Sequence, residues 1–344
     1  MKKIIYVTTL FLVASMATSC QNKSKKMEEE NFNYTVSTTA PQEYPVEVYI
    51  GYVAKDKEFI TAFPKGMTEE EGWNGNGTDM NGYAGNTIPN FLELTWMSFA
   101  EKKFWKVEAN LDSKKILALF QKGFKTINDD DTYTDNTYTQ IVVGCAPGGV
   151  VGVWLYGPHE KIEIGRYQAR ETFVDHNAMR PVKDYKETQQ EFLDSFYLLV
   201  KEDIRAKIEK QGFPFGLWDE YRTKYNWRYK TEFYNEGKDK DMLQYIDYFN
   251  AESTVLFETV LDKKQYTQQA LPYRSTLYFK EYNGVLEFDY QEIKEAFIKA
   301  SHNNTIPVEI VVKPAFMYKT LSLTVKSEKE EILLKKVSVE MYKN

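Results

Sequence analysis

Histidine and cysteine are the scarcest chemistry-bearing residues in this chain, three and two among 344. His159, His176 and His302 stand far apart, none pairs with another at ligand spacing on a helix, and HExxH is absent. A zinc hydrolase centre of that kind is excluded. Basic excess is missing too. Lys and Arg number 44 against 50 Asp and Glu, with no basic stripe, which makes nucleic acid and anionic lipid surfaces poor partners. Beyond the first 17 residues no run approaches the 18 apolar residues of a membrane span. No GxSxG elbow occurs, and Pro147-Gly148-Gly149-Val150-Val151-Gly152 lacks the Lys and the opening helix of a P-loop. Such glycines instead permit a bulge or a close backbone approach. No cofactor and no catalytic residues are expected.

What is present begins with a leader. Lys2 and Lys3 precede an apolar segment, residues 4–17, too short to span a bilayer with tilt. It ends in Ala17-Thr18-Ser19-Cys20, and small residues just before a cysteine resemble a bacterial lipobox, where the cysteine is acylated and the leader is cut before it. Residues 1–19 are therefore expected to be a signal peptide and Cys20 the lipidation site, with several acyl chains giving stable attachment. The polar residues 20–40 read as a tether. Without its leader the chain carries 42 basic and 50 acidic side chains, a net charge of −8. With Cys20 acylated, Cys145 stands alone and a disulfide within the monomer is excluded. Cys145 lies in an apolar strand and reads as a small buried hydrophobe. The expected address is the cell envelope, as an outer-membrane lipoprotein facing the periplasm or the cell surface.

The remainder is globular in composition, with 42% apolar residues and 15% aromatics, 25 of them Tyr. Aromatics of that abundance suit half-buried pleated surfaces. Residues 141–170 are the organising stretch: an apolar strand, a Pro-Gly-Gly break, a second apolar strand, a Gly-Pro-His-Glu turn and an alternating third strand. Upstream, Val46, Val48 and Ile50 alternate with Glu47 and Tyr49. Residues 92–99 and 104–111 predict a hairpin, and Asp112 or Ser113 caps a helix carrying Ile116, Leu119 and Phe120 on one side. After residue 184, Phe192, Phe196, Leu199, Val200, Ile204 and Ile208 recur every three to four residues until Gln211-Gly212-Phe213-Pro214. One long connecting helix is expected there. Farther on, 228–234 reads as a strand, 241–260 as helical at first, and 277–288 as a hairpin turning at Asn283-Gly284.

The pattern then repeats. Asp112, Ile116 and Phe120 have the spacing of Asp289, Ile293 and Phe297, and residues 141–170 align with 310–339 without a gap. The first unit carries eight more residues between helix and strand, the length of 129–136. The expected fold is α+β: two tandem duplicated lobes, residues 41–180 and 227–344, each an antiparallel sheet with a short helix, joined by a long helix within residues 181–226.

Tyr44-Pro45-Val46-Glu47-Val48, the Trp96…Phe104-Trp105 hairpin with Ile116…Phe120, and Ala146-Pro147-Gly148-Gly149-Val150-Val151…Trp154-Leu155 before Ile162-Glu163-Ile164 resemble a bacterial lipoprotein family, the domain-of-unknown-function 2931 type. These motifs cover the first lobe and echo weakly in the second. The resemblance implies an envelope protein, some of whose relatives would neutralise secreted antibacterial effectors, and it brings no catalytic residues with it.

Two kinds of site are candidates. Trp73 in the glycine-dense loop of residues 66–88, and Trp218 with Tyr221 after the connecting helix, lie outside strand alternation. They would stack on a glycan or anchor a protein partner, against the commoner role of packing. Asp79 with Asn76 and Asn81, and Asp129, Asp130 and Asp131 with Asp135, form oxygen-rich loops that a calcium ion could use, although neither has the EF-hand pattern. The function these features predict is binding, with an effector-like protein engaged by the glycine loop (72–85) or the acidic loop (129–135). Glycan binding is the alternative, and an envelope hydrolase ranks below both.

Overall fold

The structure is a computed structural model and describes residues 32–68, 72–77, 87–128, 132–180, 186–235, 237–261, 263 and 265–344. Cys20, Asp79, Asp129, Asp130 and Asp131 lie outside the described residues, and with them the lipidation and calcium expectations. The chain is α+β and dominated by strands.

The first half runs β1 (Thr35–Thr39), β2 (Val46–Lys55), β3 (Glu58–Ala62), β4 (Gly66–Met67), β5 (Phe91–Ser98), β6 (Lys103–Asn110), α1 (Ser113–Lys122), β7 (Phe124–Ile127), β8 (Tyr133–Asn136), β9 (Gln140–Ala146), β10 (Val150–Gly157), β11 (Glu160–Gln168) and β12 (Arg170–Thr172). The predicted hairpin is β5–β6, and Leu92, Leu94 and Trp96 of β5 enter the core. Asp112 caps α1 by accepting from the Lys115 amide, worth about 1 kcal/mol. Ile116 and Phe120, one turn apart, are that helix's buried residues and pack with Ile141, Val143 and Cys145 of β9. Gly123 ends the helix. Cys145 is fully buried, and burial pushes its thiol pKa up, consistent with a packing role.

The connector holds α2 (His176–Met179), α3 (Gln189–Tyr197), α4 (Glu202–Gln211) and α5 (Leu217–Glu220). It is not one long helix. After α3 the amides of Leu199 and Val200 bond to Phe196 and Tyr197, and Val200 turns inward to 2% exposure. Lys201 adopts an extended conformation that ends the helical path. Burying Val200 beside Phe192 and Phe196 outweighs continuing the helix, and it leaves the neighbouring Leu198 and Leu199 exposed.

The second half runs β13 (Tyr225–Thr231), β14 (Leu243–Tyr248), β15 (Ser253–Phe257), α6 (Glu258–Leu261), β16 (Thr267–Gln269), β17 (Pro272–Tyr278), β18 (Tyr282–Glu287), α7 (Tyr290–Ala300), β19 (Val308–Pro314), β20 (Leu321–Lys326), β21 (Glu331–Leu333) and β22 (Ser338–Lys343). The segment expected to be helical is the β14–β15 hairpin, because Leu243, Ile246 and Tyr248 gain more by inserting into the sheet. Asn283 and Gly284 lie inside β18 rather than at its turn. A side chain at Gly284 would meet Leu321 at 2.7 Å, so glycine serves packing there.

Strand order describes the architecture. One six-stranded sheet runs β12-β6-β5-β2-β3, with β4 beside β2, and a five-stranded sheet runs β16-β13-β19-β20-β21. A nine-stranded sheet joins β1-β9-β10-β11 to β15-β14-β17-β18-β22. Thus β12-β6-β5-β2-β3 has the order of β22-β18-β17-β14-β15, and β1-β9-β10-β11 that of β13-β19-β20-β21. Three expectations are corrected. The tether read over residues 20–40 gives way at residue 35 to β1, whose Val36 and Ser37 are buried because the strand pairs with β9, so ordered chain begins before residue 41. Sheets are mixed, since β1 runs parallel to β9 and β13 parallel to β19; the unbroken burial of β9 suits such a central strand. The gapless alignment also fails by one residue: Leu155 and Val325 occupy matching places opposite Ile141 and Ile310. The turn of residues 147–149 is one shorter than that of 316–319.

The extra segment of the first half is not merely a solvated loop. Its described part contributes β8, which pairs with β7, and Tyr133 packs edge-on against Phe257 at 5.1 Å.

Inside the nine-stranded sheet the halves meet where β11 adjoins β15, through the pair Lys161–Ser253. There Glu160 accepts from the Thr254 hydroxyl at 3.0 Å and the Val255 amide at 3.1 Å. Burial pushes the Glu160 carboxyl up to about 7, against those two donors, which favour its charged form. A carboxyl raised on folding stabilises the fold fully below its unfolded value of 4.5, and that contribution is lost as pH rises through about 7. The span corresponds to at most about 3 kcal/mol. Glu160→Gln keeps the acceptor oxygen and removes the titration. The parent's urea midpoint should fall from pH 5 to pH 8 relative to that of Glu160→Gln; parallel pH profiles for the two chains would refute the assignment.

Candidate ligand cleft

Two cross-strand glycines, Gly144 of β9 and Gly152 of β10, face each other. A Cβ on Gly152 would lie 2.2 Å from the Trp154 ring, and one on Gly144 would lie 2.7 Å from Trp154 and 2.8 Å from Trp73. These strands omit side chains where two indoles lie on them. Trp154 donates its indole N–H to the Asn250 carbonyl at 3.2 Å, tying β10 to the second half. Trp73 packs edge-on to Trp154 at 5.1 Å and reaches Trp218 at 6.3 Å.

The loop bearing Trp73 is pinned along residues 72–77. The Thr39 and Ser37 hydroxyls of β1 donate to the Gly72 and Asn76 carbonyls. Lys161 donates to the Gly75 carbonyl at 2.6 Å, and the Asn74 amide donates to the Tyr248 carbonyl at 3.1 Å. Gly77 has φ +69°, and a Cβ there would strike the Thr38 carbonyl at 2.1 Å, so only glycine fits.

Trp218 arrives on α5, a single turn held from both sides. Asp219 receives both nitrogens of the Arg166 fork, at 2.7 and 2.8 Å, from β11. Glu220 receives Lys294 at 2.7 Å and Tyr290 at 2.6 Å, from α7. The Arg166 guanidinium holds the Asp219 carboxyl below its usual range. Burial pushes Glu220 up, but the hydrogen bonds from Lys294 and Tyr290 outweigh it and its pKa is lowered. Trp218, 3% exposed, fills the gap between, edge-on to Tyr44 at 5.8 Å.

Together these elements enclose a cleft of about 360 Å³. Its walls are aromatic, with Tyr44, Trp73, Trp218, Tyr221, Phe249 and Tyr273, and Gln42, Glu43, Asn74 and Lys207 add polar groups. Burial raises the Tyr221 phenol, with Glu43 and Glu220 adding to it, and burial likewise raises Tyr44 and Tyr273. All three stay neutral near pH 7, able to donate and accept. Trp73 Nε1 has no hydrogen-bond partner among the described residues. Apolar walls with a few polar groups form the usual environment of a small-molecule site.

The structure therefore brings Trp73, Trp218 and Tyr221 together across about 145 residues of sequence. Sequence reasoning gave no ligand role to Tyr44, which served only as a family-motif residue, to Phe249, which lay in a segment read as helical at first, or to Tyr273. The signal that could have found the site is a glycine inside each of two apolar strands, Gly144 and Gly152, the second of them two residues before Trp154. The histidines stay separate: His159 packs on Tyr245 at 4.4 Å, His176 bonds Gln189, and His302 lies past α7 at φ +48°. Asp135 pairs with Lys125 at 2.7 Å on the surface, away from the cleft residues.

The family described as a protein of unknown function (DUF2931) matches residues 19–216, more than half of the chain, and the chain belongs to that family. The match includes Trp73 and stops before Trp218. No curated protein and no solved structure matches it.

Gly152→Ala should force the Trp154 ring aside and cost about 1–3 kcal/mol. The check is a lowered urea midpoint together with altered near-ultraviolet circular dichroism of the indoles. An unchanged midpoint would mean the rings are not seated on this glycine pair.

Proposed function

We propose that this DUF2931 member is an envelope lipoprotein held in the membrane through Cys20, which acts by binding rather than by catalysis and seats an oligosaccharide in the aromatic cleft. The observation that carries this reading is the convergence of aromatic rings on one concave surface, with Trp73, Tyr221 and Tyr273 at its wall and the buried Trp218 packed behind them. Sugar rings have apolar C–H faces and hydroxyl edges. The faces pack on indole and phenol rings, while the edges meet Gln42, Glu43, Asn74 and Lys207. The two halves are read as tandem copies of one α+β unit, a reading supported by the repeated strand order and by Asp112 and Asp289 capping equivalent helices.

A protein partner, such as a secreted effector, is the second reading. It is favoured by Leu198 and Leu199, adjacent at the break between α3 and α4 and 65% and 57% exposed. Charge-steered capture of a basic effector would weaken in salt, whereas stacking in the cleft would not.

Titration with peptidoglycan fragments should shift tryptophan emission saturably, with little change in high salt. Tyr273→Ala, at the accessible wall of the cleft, should weaken binding about tenfold, the loss of roughly 1.4 kcal/mol of stacking. No saturable shift with any envelope glycan would sink the reading. The anchor is tested separately: metabolic labelling with a fatty acid should mark the parent and spare Cys20→Ser.

A further inference from the structure

The joint between the halves uses one sheet end of each kind. In the order β1-β9-β10-β11 the outer strand is β11, and in β22-β18-β17-β14-β15 it is β15; these two meet. The matching orders end in β21 and in β3. Among the described residues, each of those strands has a single sheet neighbour. We propose that β21 of one molecule pairs with β3 of a second copy, repeating the internal joint between molecules and giving head-to-tail rows.

Register makes the proposal specific. Lys161 lies opposite Tyr156, which faces Gln140, the residue before Ile141. Glu331 lies opposite Lys326, which faces Glu309, the residue before Ile310. Glu331 thus holds the place of Lys161. On the other side Ser253 lies opposite Asp247, and Asp247 opposite Arg274. Phe59 lies opposite Ala54, Ala54 opposite Phe91 and Phe91 opposite Asn110, two residues before the cap Asp112, just as Arg274 lies opposite Glu287, two residues before the cap Asp289. Phe59 thus holds the place of Ser253. The internal pair Lys161–Ser253 predicts an intermolecular pair Glu331–Phe59.

The two edges have the surface such a contact needs. Phe59 is 65% exposed and Leu333 is 54% exposed. A hollow of about 450 Å³ lies beside β3, and one of about 330 Å³ beside the β20–β21 turn. At the internal joint, where Tyr156 and Lys161 meet Asp247 and Ser253, the corresponding space is about 130 Å³. Covering the edges would remove unpaired backbone groups and two exposed apolar side chains from water. The contact joins unlike surfaces, so it propagates instead of closing as a twofold dimer. Molecules tethered to one membrane face, as in the lipid-anchor reading on which this step draws, meet at a raised effective concentration.

The test uses the full-length protein in bacterial cells carrying Phe59→Cys and Glu331→Cys together. Cys145 is buried and silent, and the parent reports any background from Cys20. Mild oxidation should give a ladder of dimers, trimers and longer species on a non-reducing gel. Each single variant alone should remain monomeric, and the two single variants mixed should stop at dimers. Both positions are exposed, so the circular dichroism of the double variant should match the parent. A matching spectrum without a ladder overturns the proposal, as do dimers from Phe59→Cys alone, which would indicate a symmetric contact.

Discussion

Two adjacent carboxylates on one helical turn hold this molecule in its arrangement. Asp219 bonds to the first half through Arg166, and Glu220 bonds to the second through Lys294 and Tyr290. Each pair is partly exposed, so its own contribution is modest. Their importance is geometric. Lying on neighbouring residues, they fix α5 in two directions, and Trp218 between them has only one place to go. The contact of Trp218 with Trp73 at 6.3 Å and the approach of Tyr221 to Phe249 at 5.3 Å follow from that placement.

The sheet seam and the helical clasp act at different points. At the seam β11 and β15 share a single residue pair, supplemented by Glu160 and by the Trp154–Asn250 bond. Backbone pairing alone would leave the two halves free to twist about it. Arg222 on Glu163, at 2.8 Å, and Lys224 on Glu252, at 2.7 Å, add ties close to the seam. The segment after α5 therefore works as a second strap, nearly parallel in role to the clasp.

Much of the first half was legible because its signals are local. The alternation of residues 91–110 and the cap-plus-one-turn pattern of Asp112, Ile116 and Phe120 need no partner to be recognised. The connector misled because Val200 keeps helical spacing while packing as a turn residue. Residues 243–257 misled for the opposite reason: apolar side chains stand on both faces of β14 and polar Gln244 is buried, and the strand character comes from neighbours on both sides. Of the candidate site, Trp73 and Trp218 stood out because they belong to no strand. That they touch depends on Arg166, Lys294 and the Gly144–Gly152 pair, none of which is near them in sequence.

The parallel pairing of β1 with β9 has a kinetic consequence. A strand at residues 35–39 must wait for one at 140–146, and β13 must likewise wait for β19, so both sheets close over long stretches of chain. Residues 41–44 and 72–74 of the cleft then need 214–221 and 249–273 to be in place as well. The aromatic pocket is thus complete only when segments from both halves are in place. An emission signal from its indoles would count completed molecules rather than folding intermediates.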